Sequence, residues 1–186
     1  MTTIIDLLNE DKRPKAPPIE GATDAHRRRG RHLAMIHAMH LEEMDRVRHV
    51  ITGIETGEIE DRELAAAIAG LTMTENYRVF GSLCGRECQA LTFHHTAEDR
   101  MLFPMLRNVG DGLRRVVEKL MQEHEVVHAL IETLDGEARR LLDEPGETNY
   151  RSLKAAFEQL DRAVRSHFGY EQTELEEAIG YYGVPI

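Results

Sequence analysis

Apolar residues recur at intervals of three and four along most of this chain, the spacing that gathers side chains on one face of an α-helix. A first stretch, from about Ala25 to Ile51, carries Leu33, Ile36/His37, His40/Leu41, Met44, Val47 and Ile51 in phase. A second, from about Thr74 to Asn108, carries Tyr77, Phe80, Leu83/Cys84, Glu87/Cys88, Leu91, His94, Glu98, Met101/Leu102 and Met105. A third, Leu113 to Leu142, presents Val116/Val117, Leu120, His124, Val127/His128, Ile131 and Leu134. The fourth, Thr148 to Ile179, has the cleanest stripe: Leu153, Phe157, Leu160, Val164, His167, Glu171, Leu175 and Ala178. Gly53 and Gly57, Gly110-Asp111-Gly112 and Pro145-Gly146 separate these stretches, with a short connecting helix expected from Ile59 to Ala69 and closed by Gly70. Four long amphipathic helices, most of them joined by short turns, predict an all-α, antiparallel four-helix bundle.

The ends of the chain do not follow this period. Residues 1–22 hold Pro14, Pro17 and Pro18, which forbid a continuous helix there. They read as an N-terminal extension with at most one short helix at 3–9. Thr23 or Asp24 suits the N-cap of the first bundle helix. The bundle is expected over 23–180, and the apolar tail 181–186 is expected to fold back over its end. Pro104, inside the second helical pattern, predicts a bend or a loosened turn.

Aromatic residues are only 5% of the chain and Trp is absent, so aliphatic side chains and eight Met must fill the core. A net charge of −10 would repel a duplex nucleic acid, and none is expected as a partner. No apolar run is long enough to span a membrane and no secretory pattern opens the chain, so a soluble, cytoplasmic protein is expected. Cys84 and Cys88, four apart on one helix, are badly placed for a disulfide and read as two small buried thiols. The basic run from His26 to His32 reads as a solvated helix start.

Ten histidines in 186 residues change this picture through their spacing. His94 and Glu98, His124 and His128, and His167 and Glu171 are each four apart, hence on one face and about 6 Å apart along a helix axis. A lone histidine on an inward stripe is usually a hydrogen-bonded structural residue. A carboxylate there is different, because burying it bare costs several kcal/mol. Glu98 and Glu171, with histidines on all four helices, are best explained by bound cations. Mixed imidazole and carboxylate donors suit iron, manganese or zinc. On the first helix, His37 and His40 both qualify as donors. His95 and Asp99 are each one residue past the main pair, about 100° around the helix, and are expected to face a neighbouring helix or solvent. Tyr77 reads as core and His49 as surface.

The order His … HxxxE … HxxxH … HxxxE resembles hemerythrin and the hemerythrin-like HHE cation-binding domains. The block His94-His95-Thr96-Ala97-Glu98-Asp99-Arg100-Met101-Leu102-Phe103-Pro104 looks especially like their bacterial members. The resemblance covers roughly residues 30–175. It implies two iron ions in an oxo- or hydroxo-bridged pair, with His124, His128 and His167 on one iron, His37 and His94 on the other, and Glu98 and Glu171 bridging both. It favours His37 over His40 as the first-helix ligand. It also implies a small ligand, O2, NO or H2O2, bound or turned over at an open position. The alternatives are an enzyme with catalase-like peroxide turnover and an iron store. Oxygen carriers of the family have HxxxxD in the fourth motif, where this chain has HxxxE.

Overall fold

The computed structural model describes residues 4–56 and 85–185. Within them the chain is helical with no strand. Helix α1 spans Asp24–Gly30 and α2 spans His32–Glu55. Helix α3 spans Gly85–Ala97, a π turn covers Glu98–Leu102, and α4 spans Phe103–Arg107. Two long helices complete the bundle, α5 at Asp111–Asp143 and α6 at Glu147–Tyr182. None of the described helices is long and apolar enough to cross a membrane. The connecting helix expected at 59–69, Tyr77, Cys84 and the start of the second long helix lie outside the described residues.

The expected first helix is in fact two. Thr23 caps α1, its hydroxyl accepting from the His26 backbone N–H while the His26 ring accepts from the Thr23 N–H. The helix then breaks at Arg31, after Gly30 packs directly on the backbone of α6. The basic run is exposed, as expected of a solvated helix start, but it also makes contacts. Arg27 and Arg31 pair with Glu177 and Glu176, and Arg29 reaches the Gly180 carbonyl, so these charges dock α1 on the acidic end of α6.

At the other end, α6 runs past Ile179 to Tyr182. Gly183, at φ 64°, takes the left-handed cap conformation that a glycine adopts without strain. The N–H of Val184 returns to the Ile179 carbonyl and its side chain is buried. Residues 181 and 182 therefore belong to the helix rather than to a folded-back tail.

Proline lacks an N–H, and Pro104 sits just after the loosened turn. The Phe103 N–H bonds back to the Glu98 carbonyl, five residues earlier, which is the π pattern. That turn adds one residue to the helical repeat. Beyond Glu98 the inward positions become Leu102, Phe103 and Leu106, all buried. Met101 and Met105, expected on the inward stripe, are instead 66% and 48% exposed.

The buried apolar residues form two clusters. One holds Val127, Leu130, Leu134, Phe157, Leu160, Val164 and Phe168, joined by Ile5 and Leu8 of the N-terminal segment. The other holds Leu33, Leu102, Phe103, Leu106, Val116, Val117, Leu120, Leu175 and Ile179. Along α5, His124 lies between Leu120 and Val127; along α6, His167 and Glu171 lie between Val164 and Leu175. The polar residues thus form a layer across the middle of the bundle, closed above and below by aliphatic packing.

Candidate metal centre

Five helical segments contribute to this layer. His37 comes from α2, His94 and His95 from α3, Glu98 from the π turn, His124 from α5, and His167 and Glu171 from α6. Their donor atoms fall into two groups: His95, His124 and His167 form one, and His37, His94, Glu98 and Glu171 the other. Within the second group Nε2 of His37 stands 3.0 Å from Nε2 of His94. Within the first, Nε2 of His124 stands 3.1 Å from Nε2 of His167. Two imidazole nitrogens each about 2.1 Å from one ion, at right angles, stand about 3 Å apart.

The two carboxylates tie the groups together. Oε1 of Glu98 is 3.2 Å from Nε2 of His94, while its Oε2 is 3.6 Å from Nε2 of His124. Oε2 of Glu171 is 3.3 Å from Nε2 of His37 and 3.9 Å from Nε2 of His167. Each carboxylate therefore faces imidazoles of both groups. All four carboxylate oxygens are buried without a properly directed hydrogen bond, and so is Nε2 of His95. Buried polar atoms almost always have partners, and five orphans converging on one interior point indicate cations as the missing ones.

The protonation chemistry agrees. Burial lowers the affinity of the imidazoles for protons, taking His94 down to about 3, His95 well below its ordinary value, and His37 and His124 below theirs. These rings stay neutral and keep the lone pairs a metal ion requires. Burial also raises Glu98 well above the carboxylate range, and the charge of Glu171 beside it adds to this. Burial works in the same direction on Glu171, but the His37 imidazole and the rings of His167 and His124 outweigh it and hold Glu171 at about 2. Without a cation, only one of the two carboxylates is comfortably ionised.

Further groups fix the rings from outside. Nδ1 of His124 donates to Asp99, at 2.9 Å, and Nδ1 of His167 to Glu123, at 3.2 Å. The Gln172 amide lies 2.8 Å from Nδ1 of His37. The two carboxylate contacts leave Nε2 of His124 and His167 pointing inward with a free lone pair, the usual arrangement behind a metal-bound histidine. Phe168 lies flat on the His37 ring, 3.7 Å between centroids and 3° between planes, and Phe103 stacks on His124.

Two expected assignments look different in three dimensions. His95, expected to face a neighbouring helix or solvent, does meet a neighbouring helix, stacked 4.0 Å from the His124 ring, but it is fully buried and joins a donor group. His128 is only partly buried and lies outside both donor groups, meeting them through Nδ1 of His95 at 3.3 Å. His40 is buried beside His94, but it is His37 that joins the donor group. Glu123 and Gln172 had no counterpart in the sequence reading, whereas Asp99 faces a neighbouring helix, as expected. For Glu123 a signal existed, since it lies three residues after Leu120 and four before Val127 on the inward stripe.

No curated protein and no solved structure matches this chain. A family model for the hemerythrin HHE cation-binding domain does match, over residues 30–179, a span that contains every residue of the two donor groups. The chain belongs to the hemerythrin HHE cation-binding family.

Proposed function

We propose that the chain holds two iron ions in this layer and uses them to bind, or react with, a small diatomic molecule or peroxide. The observation that carries the reading is the double-facing geometry of Glu98 and Glu171, each spanning both imidazole groups with oxygens that lack hydrogen-bond donors. Six of the seven expected donors stand in it: His37, His94, Glu98, His124, His167 and Glu171. The seventh place, assigned to His128 by the family pattern, falls to His95 by proximity.

When bound, a ferrous pair supplies two electrons and Lewis acidity to O2, NO or H2O2. The protein's own contribution is positional. Glu98 and Glu171 offset the charge of the ions between the two imidazole groups. Asp99, Glu123 and Gln172 hold the rings in orientation, and Phe103 and Phe168 keep bulk water from the layer. Three imidazoles stand on one side and two on the other, so the two-imidazole side is the poorer in protein donors and the better candidate for an external ligand.

Metal analysis after anaerobic loading with ferrous iron tests this reading; about two irons per chain are expected. A visible band that appears with oxygen and disappears under vacuum marks reversible binding. Gas evolution from peroxide with the band retained marks catalase-like turnover. Iron content well below one per chain after loading would overturn the proposal.

A further inference from the structure

The N-terminal segment lies before the span that matches the family, yet it reaches the metal layer. Its short turn at Ile4–Leu8 is packed into the apolar cluster of Phe157 and Phe168 through Ile5 and Leu8. From there the chain runs along α5 and α6. Lys119 donates to the Leu8 carbonyl, the Ala16 N–H to Glu174, and the Ile19 N–H to Glu177. Pro17 sits against Gly112, where a Cβ would come within 2.5 Å of the proline ring.

Midway along this path Arg13 turns its side chain inward. Its Nε and Nη2 grip both oxygens of Glu123, at 2.8 and 2.9 Å, in a forked pair. Its Nη1 donates to Ser166, the residue before His167, at 2.9 Å. The guanidinium lies over the Tyr170 ring, 4.7 Å from its centre, and the Tyr170 hydroxyl donates to the Pro14 carbonyl. Glu123 is wholly buried and accepts from Nδ1 of His167 with the oxygen that Nη2 of Arg13 also holds. A continuous chain of charge-assisted contacts therefore runs from the N-terminal segment to a donor of the layer.

We propose that Arg13 is a positioning residue of the metal centre, its side chain holding Glu123 against His167 so that this one contact of the N-terminal segment sets how firmly the ion on the His95–His124–His167 side is retained. This rests on the metal reading of the layer. A planar fork matters because a carboxylate held at both oxygens can neither rotate away from Nδ1 nor draw in water. Lysine supplies the charge without the fork. Lys119, 3.5 Å from Oε1 of Glu123, preserves part of the charge balance if Arg13 is lost, but it approaches the oxygen that does not meet His167.

The test uses the full chain, loaded anaerobically with ferrous iron and then challenged with a strong chelator while iron release is followed in time. Wild type, Arg13→Ala, Arg13→Lys and Glu174→Ala are compared, the last loosening the segment without touching Arg13. Loss of an outer partner of a metal-bound histidine typically weakens metal retention by about 10- to 100-fold. In Arg13→Ala and Arg13→Lys, about half of the iron should leave at least about 10-fold faster than in wild type, with the other half unchanged. Glu174→Ala should release iron as wild type does. Should Arg13→Ala fail to fold, Arg13→Lys carries the same comparison. Wild-type release in both Arg13 variants, or equal acceleration in Glu174→Ala, would overturn the proposal. A wild-type chain that takes up no iron would overturn the metal reading itself, a different result from two loaded variants that release alike.

Discussion

Gly30 and Gly180 meet backbone to backbone where α1 crosses the end of α6. A Cβ on Gly30 would stand 1.8 Å from the Glu176 carbonyl oxygen, and one on Gly180 would stand 1.7 Å from that of His26 and 3.0 Å from the Gly30 nitrogen. Both obstacles are main chain, so no side chain can swing aside to make room. Alanine at either position should cost about 1–3 kcal/mol as overpacking, lowering the melting temperature by about 2–12 °C in a chain of this size. Arg27→Ala, which removes an exposed ion pair in the same contact, should leave the melting temperature nearly unchanged. Thermal melts of the three variants check the contrast. A larger loss from Arg27→Ala than from Gly180→Ala would show that charge rather than close approach docks α1.

Glu98 and Glu171 predict opposite responses with and without metal. Glu98→Gln keeps the shape and makes permanent the neutral state that the metal-free layer already favours there, next to Glu171 and without a hydrogen-bond donor. The metal-free variant should be at least as stable as metal-free wild type. The iron-loaded variant should lose much of the stabilisation that iron gives wild type, because ligand binding stabilises in proportion to RT ln(1 + [L]/Kd). Melts of each protein with and without iron measure the difference. A metal-free Glu98→Gln that melts far below metal-free wild type would mean that the carboxylate serves the apo fold.

His95 and His128 compete for one place among the donors, and truncation separates them. His95 is fully buried on the His124 ring, while His128 reaches the layer through it. His95→Ala should reduce iron content on the His124–His167 side, and His128→Ala should reduce it less. Iron per chain after gel filtration in the two variants decides the order. Greater loss from His128→Ala would restore the ligand set that the resemblance implies.

The bundle and most of its polar layer were legible in the sequence because period and spacing are local. His94 with Glu98, and His167 with Glu171, each sit one turn apart on a stripe whose other members are apolar, and the structure brings all four together. His95 was legible in principle, since it lies four residues after Leu91 and three before Glu98. The inward face of a buried helix is more than 100° wide, enough for adjacent residues to share it. The π turn shifted Met101 and Met105 outward by inserting one residue. Pro104 signalled a disturbance there without saying which carbonyl the next N–H would choose. The break at Arg31 and the reach of Arg13 to Glu123 depend on partners about 110 to 150 residues away, which no local pattern carries.

Phe168 joins the stability of the bundle to the protection of the layer. It is buried, belongs to the apolar cluster of Leu130 and Leu134, and covers the face of His37. Phe168→Leu shortens the side chain but keeps it apolar. Phe168→Ala opens a cavity beside the ring and should cost about 3–5 kcal/mol. If packing alone mattered, iron release would follow stability through the series. If Phe168 also shields the layer, Phe168→Leu should release iron to a chelator several-fold faster than wild type despite a modest loss in melting temperature. The reason is that a flat ring lying 3.7 Å from His37 excludes water more completely than a branched chain. Release kinetics plotted against melting temperature for wild type, Phe168→Leu and an aliphatic core control such as Leu134→Ala distinguish the two. Leu134 lies in the same cluster, about 15 Å along α5 from His124. Points from all three proteins on one line would assign Phe168 to packing, and a Phe168→Leu point above the line would assign it to the shielding of the metal layer.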